Sequence, residues 1–200
     1  MSGGTKRLPR AVREQQMLDA AVKVFAQNGF RETSMDAIAS EAQISKPMLY
    51  LYYGSKDELF SACIARESGL FIDAMSVGFD PSLSQREQAV TVIREFLRFV
   101  HEHRQSWRVL YRVAIGTAGF AGIVSESRQR VTEMVAQLIK AGTTVEVDSD
   151  IDFELTAVAI VGAAEAVADR ITEGDVDLER ATSLLVGITW RGLKGVGTDA

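Results

Sequence analysis

Apolar residues recur along this chain at intervals of three and four positions, the spacing that lines one face of an α-helix. Leu18, Ala21, Val22 and Phe25 form one such stripe, and Met35, Ile38, Ala39 and Ala42 form another. Ile93, Phe96, Leu97 and Val100 repeat it, as do Trp107, Leu110, Tyr111 and Ala114, and then Val131, Met134, Val135 and Leu138. Strand-like alternation is hard to find, and prolines occur only at positions 9, 47 and 81. The pattern predicts an all-α fold of about nine helices, near residues 10–28, 34–42, 46–53, 56–77, 84–103, 105–115, 122–141, 151–173 and 177–195.

Helix starts agree with that period. A side-chain oxygen at the N-cap and a carboxylate three residues later satisfy amides that the first turn leaves unpaired. Thr33 with Asp36, Ser55 with Glu58, Ser84 with Glu87, and Ser149 with Asp152 have this spacing. Gly29, Gly54, Gly142 and Gly174 stand where helices should close on a left-handed residue.

The helices at 34–42 and 46–53 are short, and only Gln43, Ile44 and Ser45 separate them, which predicts a helix-turn-helix. The second helix of that motif lies in the DNA major groove and reads base edges from its N-terminal end. Ser45 supplies a cap, and Pro47 is tolerated because first-turn amides have no intrahelical partner. Leu49 and Tyr53, four apart, should face inward. Lys46, Pro47, Met48, Leu51 and Tyr52 then face outward, an apolar and aromatic set for a surface that meets only water.

Phe25, Gly29, Phe30, Thr33, Ser34, Ile38, Ala39, Ile44, Ser45, Leu49, Tyr50, Tyr53, Lys56 and Leu59, in this order and without a gap, resemble the N-terminal signature of TetR-family regulators. The resemblance runs from about residue 11 to 64. It implies a bacterial transcription factor, usually a repressor, whose homodimer binds a near-palindromic operator and releases it when a small molecule occupies the C-terminal domain. On that reading residues 1–54 are the DNA-binding domain and 55–200 the ligand-binding and dimerisation domain. The family pattern places Lys46, Pro47 and Met48 against bases, and Tyr50, Tyr52 and Lys56 against phosphates. Thr33 and Ser34, opening the second helix, should offer free amides to a phosphate. Two positions depart from the pattern. Gln43 stands where the family usually has Gly, so either it takes a left-handed conformation or the turn differs. Tyr53 replaces the usual Phe, and its hydroxyl needs a partner or an exit to water. Taken alone, Tyr50, Tyr52 and Tyr53 read equally as packing aromatics, and Lys56 as a solvated first-turn lysine.

Beyond residue 56 only the physics of the pattern is informative. The fifth helix carries a second stripe, Val92 and Phe99, and the sixth adds Val109 and Val113, so both should lie at the centre of the C-terminal domain. A cavity there would be lined by Phe96, Phe99, Trp107, Tyr111, Met134 and Leu138 and would suit an apolar or aromatic effector; the same side chains would equally fill a solid core. The segment Gly116–Gly122 reads either as a ligand entrance or as a plain connection. Small residues Val158, Ala159, Gly162, Ala163 and Ala166 on the eighth helix, with Leu184 and Ile188 on the ninth, mark a dimer seam, while Leu155, Val161, Val167 and Ile171 should face the protomer's own core.

Other chemistry is sparse. The one cysteine, Cys63, has no disulfide partner and no activating histidine, and His101 and His103 point to different helix faces. The run Glu146, Asp148, Asp150, Asp152, Glu154 lacks the central glycine of a calcium loop. No metal, cofactor or catalytic constellation is expected. Leu155 to Ala168 is apolar but interrupted by Glu165 and too short to span a bilayer, and the N-terminus is not a secretory signal, so a cytoplasmic protein is expected. A helical ligand-binding protein without DNA binding, or a ligand-independent regulator or activator, are the alternatives.

The net charge of −5 over 200 residues at first argues against nucleic acid. Its distribution argues the other way: residues 1–60 hold 8 Lys and Arg against 7 Asp and Glu, so the deficit lies beyond them. Lys6, Arg7, Arg10 and Arg13 precede the first acid and form a short basic arm suited to the phosphate backbone or minor groove.

Overall fold

The computed structural model describes residues 9–77, 80, 82–142, 152–174 and 176–195, and no strand occurs among them. In chain order the helices are α1 (Arg10–Glu32), α2 (Met35–Glu41), α3 (Lys46–Tyr52), α4 (Lys56–Ser76), α5 (Gln85–Glu102), α6 (Arg104–Arg108), α7 (Ala121–Gly142), α8 (Phe153–Glu173) and α9 (Leu178–Gly195). Between α6 and α7 the chain continues through a π-helical stretch, Val109–Ala114. Its wider turn brings residues five apart to one side, and Val109 and Ala114 are both fully buried.

The chain forms two compact units. The first comprises the residues up to Glu67 together with Gln105–Val124. Its core is aromatic at one end: Phe25 meets Phe60 at 4.6 Å between ring centroids, Phe60 meets Phe120 at 4.9 Å, and Phe30 lies 5.0 and 5.3 Å from Phe60 and Phe120. Val109, Leu110, Ala114 and Val124 join the same cluster as Met17, Ile38, Leu49 and Ile64. The compact units therefore divide the chain differently from a linear boundary at residue 54, because the 105–124 segment completes the core beneath the short helices. Phe120 anchors the glycine-rich Gly116–Gly122 stretch in that core, which favours the plain-connection reading of it.

The second unit comprises Ser68–Arg104 and the residues from Ser125 onward. Here α5 packs against α8 and α9, which pack against each other. Phe71 meets Phe96 and Phe99 edge-on at 6.0 and 5.3 Å, and Leu97, Val100, Ala157, Ile171 and Leu185 are buried. A bidentate pair, both contacts 2.8 Å, ties Arg128 of α7 to Glu165 of α8. Helix α5 and the segment after it do not share the centre of one domain as the stripes suggested: they belong to different units, each facing its own core.

The caps follow the expected chemistry with two shifts. Ser84 and Glu87 form a reciprocal capping box, and Ser55 accepts from the Glu58 amide at 3.0 Å while the Glu58 carboxylate reaches back to the Gly54 amide. At α2 the cap is Ser34, whose Oγ accepts from the Ala37 amide at 3.1 Å, and not Thr33. Thr33 closes α1 instead, donating its hydroxyl to the Gly29 carbonyl at 2.6 Å. At α8 the cap is Asp152 itself, accepting from the Leu155 amide at 2.8 Å; Ser149 and the acids at 146, 148 and 150 lie outside the described residues. Gly29 and Gly174 take positive φ as expected, whereas Gly54 does not and Gly142 is the last residue of α7.

Candidate nucleic-acid interface

The short helices are positioned from beneath. Leu49 of α3 is fully buried, as are Ile38 of α2 and Phe25 of α1, so each helix is fixed by an apolar anchor in a shared core. The turn between α2 and α3 keeps the geometry expected of glycine although Gln43 occupies it. Gln43 stands at φ +54°, its amide bonds to the Ser40 carbonyl at 3.1 Å and the next amide, Ile44, bonds to Ala39 at 3.0 Å. This is the paired closure of a Schellman motif, with Ile44 packed against the core as its apolar contact. Gln16 of α1 secures the same turn, donating to the Ala42 carbonyl at 2.7 Å.

With Leu49 inward, Lys46, Pro47, Met48, Tyr50 and Leu51 are exposed, and Leu51 is 82% accessible. Ser45 caps α3 by accepting from the Met48 amide, which sets these side chains at the start of a short rigid helix. Lys46 forms an ion pair with Asp36 of α2 at 2.7 Å, and this hydrogen bond raises the ammonium pKa above its ordinary value. Tyr52 is half-buried against the core with the Arg10 guanidinium 5.5 Å from its ring centre. Tyr53 is also half-buried, and burial pushes its phenol up. Of the basic arm, Arg10 and Arg13 belong to the first turn of α1, where Arg10 pairs with Glu14 and Arg13 donates to Gln16; Lys6 and Arg7 lie outside the described residues.

Thr33 is buried, whereas Ser34 is exposed and accepts the Ala37 amide in its cap, which leaves its hydroxyl hydrogen available at the start of α2. Lys56 is placed differently from a side chain reaching outward. Its ammonium donates to the carbonyls of Phe30 at 2.8 Å, Thr33 at 3.0 Å and Arg31 at 3.3 Å, and lies 4.5 Å from the centre of the Phe30 ring. All three donors of a lysine are thereby engaged. No local sequence signal marks Gln16, Asp36 or this role of Lys56, since their partners are distant in the chain.

Known proteins resemble this chain in sequence and in fold. Residues 17–63 match the model of the bacterial regulatory proteins of the tetR family, and residues 85–192 match a tetracyclin repressor-like C-terminal domain. The chain belongs to the TetR family.

A solved TetR-like transcriptional regulator from Rhodococcus sp. RHA1 is 57% identical, with a TM-score of 0.85 over 94% of this chain and all of that one. The transcriptional activator FasR of Mycolicibacterium smegmatis is 27% identical over 98% of this chain and 90% of its own length. The regulator FadR of Bacillus subtilis, solved with stearoyl-CoA, shares the fold at 18% identity, with a TM-score of 0.72 over 92% of this chain and 97% of its own. This TetR-family chain is thus a DNA-binding transcriptional regulator and not an enzyme.

The remaining expected site residues fall into both units. Phe96 and Phe99 are buried and Met134 and Leu138 half-buried in the second unit, whereas Trp107 is buried in the first, stacked on Tyr111 at 3.8 Å. Of the proposed seam, Val158, Ala166, Leu184 and Ile188 are exposed and Gly162 and Ala163 half-exposed. Leu155, expected to face the core, is exposed instead, while Val161 and Ile171 are buried. Cys63 is buried and its thiol is pushed up to about 12 by that burial, which leaves it unreactive. Among the described residues no helix is long and apolar enough to cross a membrane.

Proposed function

We propose that this regulator works in the cytoplasm as a homodimer that holds a near-palindromic operator through α3 and releases it when an apolar effector binds the second unit. The observation that carries the reading is the outward face of α3. A seven-residue helix with a fully buried Leu49 presents Lys46, Pro47, Met48, Tyr50 and Leu51 together to the outside. Lys46, Pro47 and Met48 meet bases, and Tyr50, Tyr52 and the main chain at Thr33 and Ser34 meet phosphates. Lys56, its donors engaged within the protein, holds the phosphate-facing main chain in place. The two-fold axis sets the half-sites roughly 34–36 Å apart.

For the effector, Phe96, Phe99, Met134 and Leu138 supply the apolar lining within the second unit, and Trp107 with Tyr111 belongs to the core of the first. A fatty acyl thioester fits this chemistry, supported by the stearoyl-CoA held in the FadR neighbour. The test is operator release and thermal stabilisation with a series of acyl-CoA thioesters and unrelated apolar molecules. Release by long acyl chains is expected; no release or stabilisation by any of them would overturn the effector reading while leaving DNA binding intact.

Repression follows where the operator overlaps a promoter. FasR, an activator, favours a second reading in which the bound protein promotes transcription. Deleting the gene and measuring transcripts at the bound sites separates the two: they rise under repression and fall under activation.

A further inference from the structure

The Asp36 carboxylate is the feature of the interface that DNA binding alone does not explain. A negative group at the start of α2, on the side where Lys46 stands, opposes the phosphate backbone. It does not cap its helix, because Ser34 does so. The other acid of α2, Glu41, is taken by Lys23 of α1 at 2.6 Å, away from the reading helix. Asp36 instead holds the Lys46 ammonium at 2.7 Å, and both side chains are solvent-exposed.

We propose that Asp36 is a specificity-determining residue that turns Lys46 from a general phosphate binder into a base reader. An unpaired surface lysine is a flexible point charge that bonds any phosphate within reach, whatever the sequence. Paired with Asp36, Lys46 contributes no net charge toward the backbone, and the carboxylate repels a phosphate oxygen that approaches the same ammonium. One of the three lysine donors is used and two remain. Two neutral acceptors on a base edge, such as O6 and N7 of guanine, satisfy those donors without approaching a carboxylate with negative charge. The pair also restricts the lysine's rotamers, so less freedom is lost when it meets the base.

This inference rests on Lys46 reading a base, and the experiment separates the two. An operator is selected from random duplex DNA by the wild-type protein. Binding of wild type, Asp36→Asn, Lys46→Ala and the double variant is then measured on that operator, on a panel of its single base-pair changes and on random duplex, across salt concentrations. Asp36 is exposed and is not a cap, so Asp36→Asn folds, which circular dichroism verifies. Asp36→Asn is expected to bind random DNA about three- to tenfold more tightly, with the slope of log K against log salt steeper by about one as Lys46 becomes free to neutralise a phosphate. Discrimination at one base pair should fall by about tenfold, and in the Lys46→Ala background Asp36→Asn should change neither the salt slope nor the base preference any further. Asp36→Asn with unchanged slope and unchanged base preference, or with a uniform loss on all DNA, overturns the proposal while Lys46→Ala, by relaxing one base pair, upholds base reading. If Lys46→Ala relaxes no base pair, base reading fails and the proposal with it.

Discussion

Gln43 shows how much a single backbone conformation costs. Left-handed φ brings the Cβ of an L-residue against its own carbonyl, at about 1–2 kcal/mol. The two hydrogen bonds closing α2 and the burial of Ile44 hold the residue there nonetheless. Gln43→Gly is therefore expected to stabilise the protein by about 0.5–1 kcal/mol, the greater freedom of an unfolded glycine offsetting part of the relief. Urea titration should show a higher midpoint at unchanged slope, and a lower midpoint would mean that the glutamine side chain makes a contact worth more than the strain. Gly29 is the counterpart. At φ +76° and ψ 172° it sits in a region open to glycine alone, and an added Cβ would meet nothing within 4 Å, so its cost on substitution is backbone strain rather than a clash.

At the scale of elements, Lys56 decides how α1, α2 and α4 meet. Its three carbonyl partners lie at the end of α1 and the entry to α2, where helix closure leaves acceptors unpaired. Lys56→Met keeps the aliphatic stem and removes all three bonds, at a cost to stability of about 1–3 kcal/mol. Operator affinity should fall at least about tenfold with no change in the salt slope; a slope lower by about 0.9 would instead show a lost phosphate contact. The helices themselves were legible in sequence, because the apolar stripe that makes α1 or α5 is written within each segment. Both Thr33 and Ser34 are acceptable caps, and only the closure of α1 on Gly29 decides between them. The partners of Lys56 lie up to 26 residues away and Asp36 lies 10 from Lys46, so no local pattern encodes either contact. The outward face of α3 was readable in part: burying Leu49 turns Lys46, Pro47, Met48 and Leu51 outward, whereas Tyr52, expected with them, is half-buried against the core. The membership of residues 105–124 was not, since an apolar stripe shows that a helix is buried without saying in which core.

At the scale of the whole molecule, α8 and α9 carry apolar residues that stand exposed among the described residues. Leu155 is 64% accessible, Leu184 53%, Ile188 52% and Val158 45%. The periodicity of the sequence assigns Leu155 to the core because it cannot distinguish a buried apolar face from an exposed one. Fully burying such side chains is worth about 1.5–3 kcal/mol each, and a two-fold axis counts each residue twice. Gly162 of α8 provides the most discriminating probe, because a Cβ there meets nothing within 4 Å in the chain. Gly162→Leu should keep its helix, since leucine is favoured over glycine in a helix by roughly 1 kcal/mol. If α8 crosses its two-fold mate at the small residues, the leucine blocks that approach. Sedimentation should then show a dimer for the native protein and a monomer for Gly162→Leu at micromolar concentration, with helicity unchanged. Operator affinity should fall by about 100-fold or more, because each half-site is then bound without the effective concentration that the partner supplies. A dimeric Gly162→Leu with native affinity would place the seam elsewhere, and a monomeric native protein would remove the two-fold operator altogether.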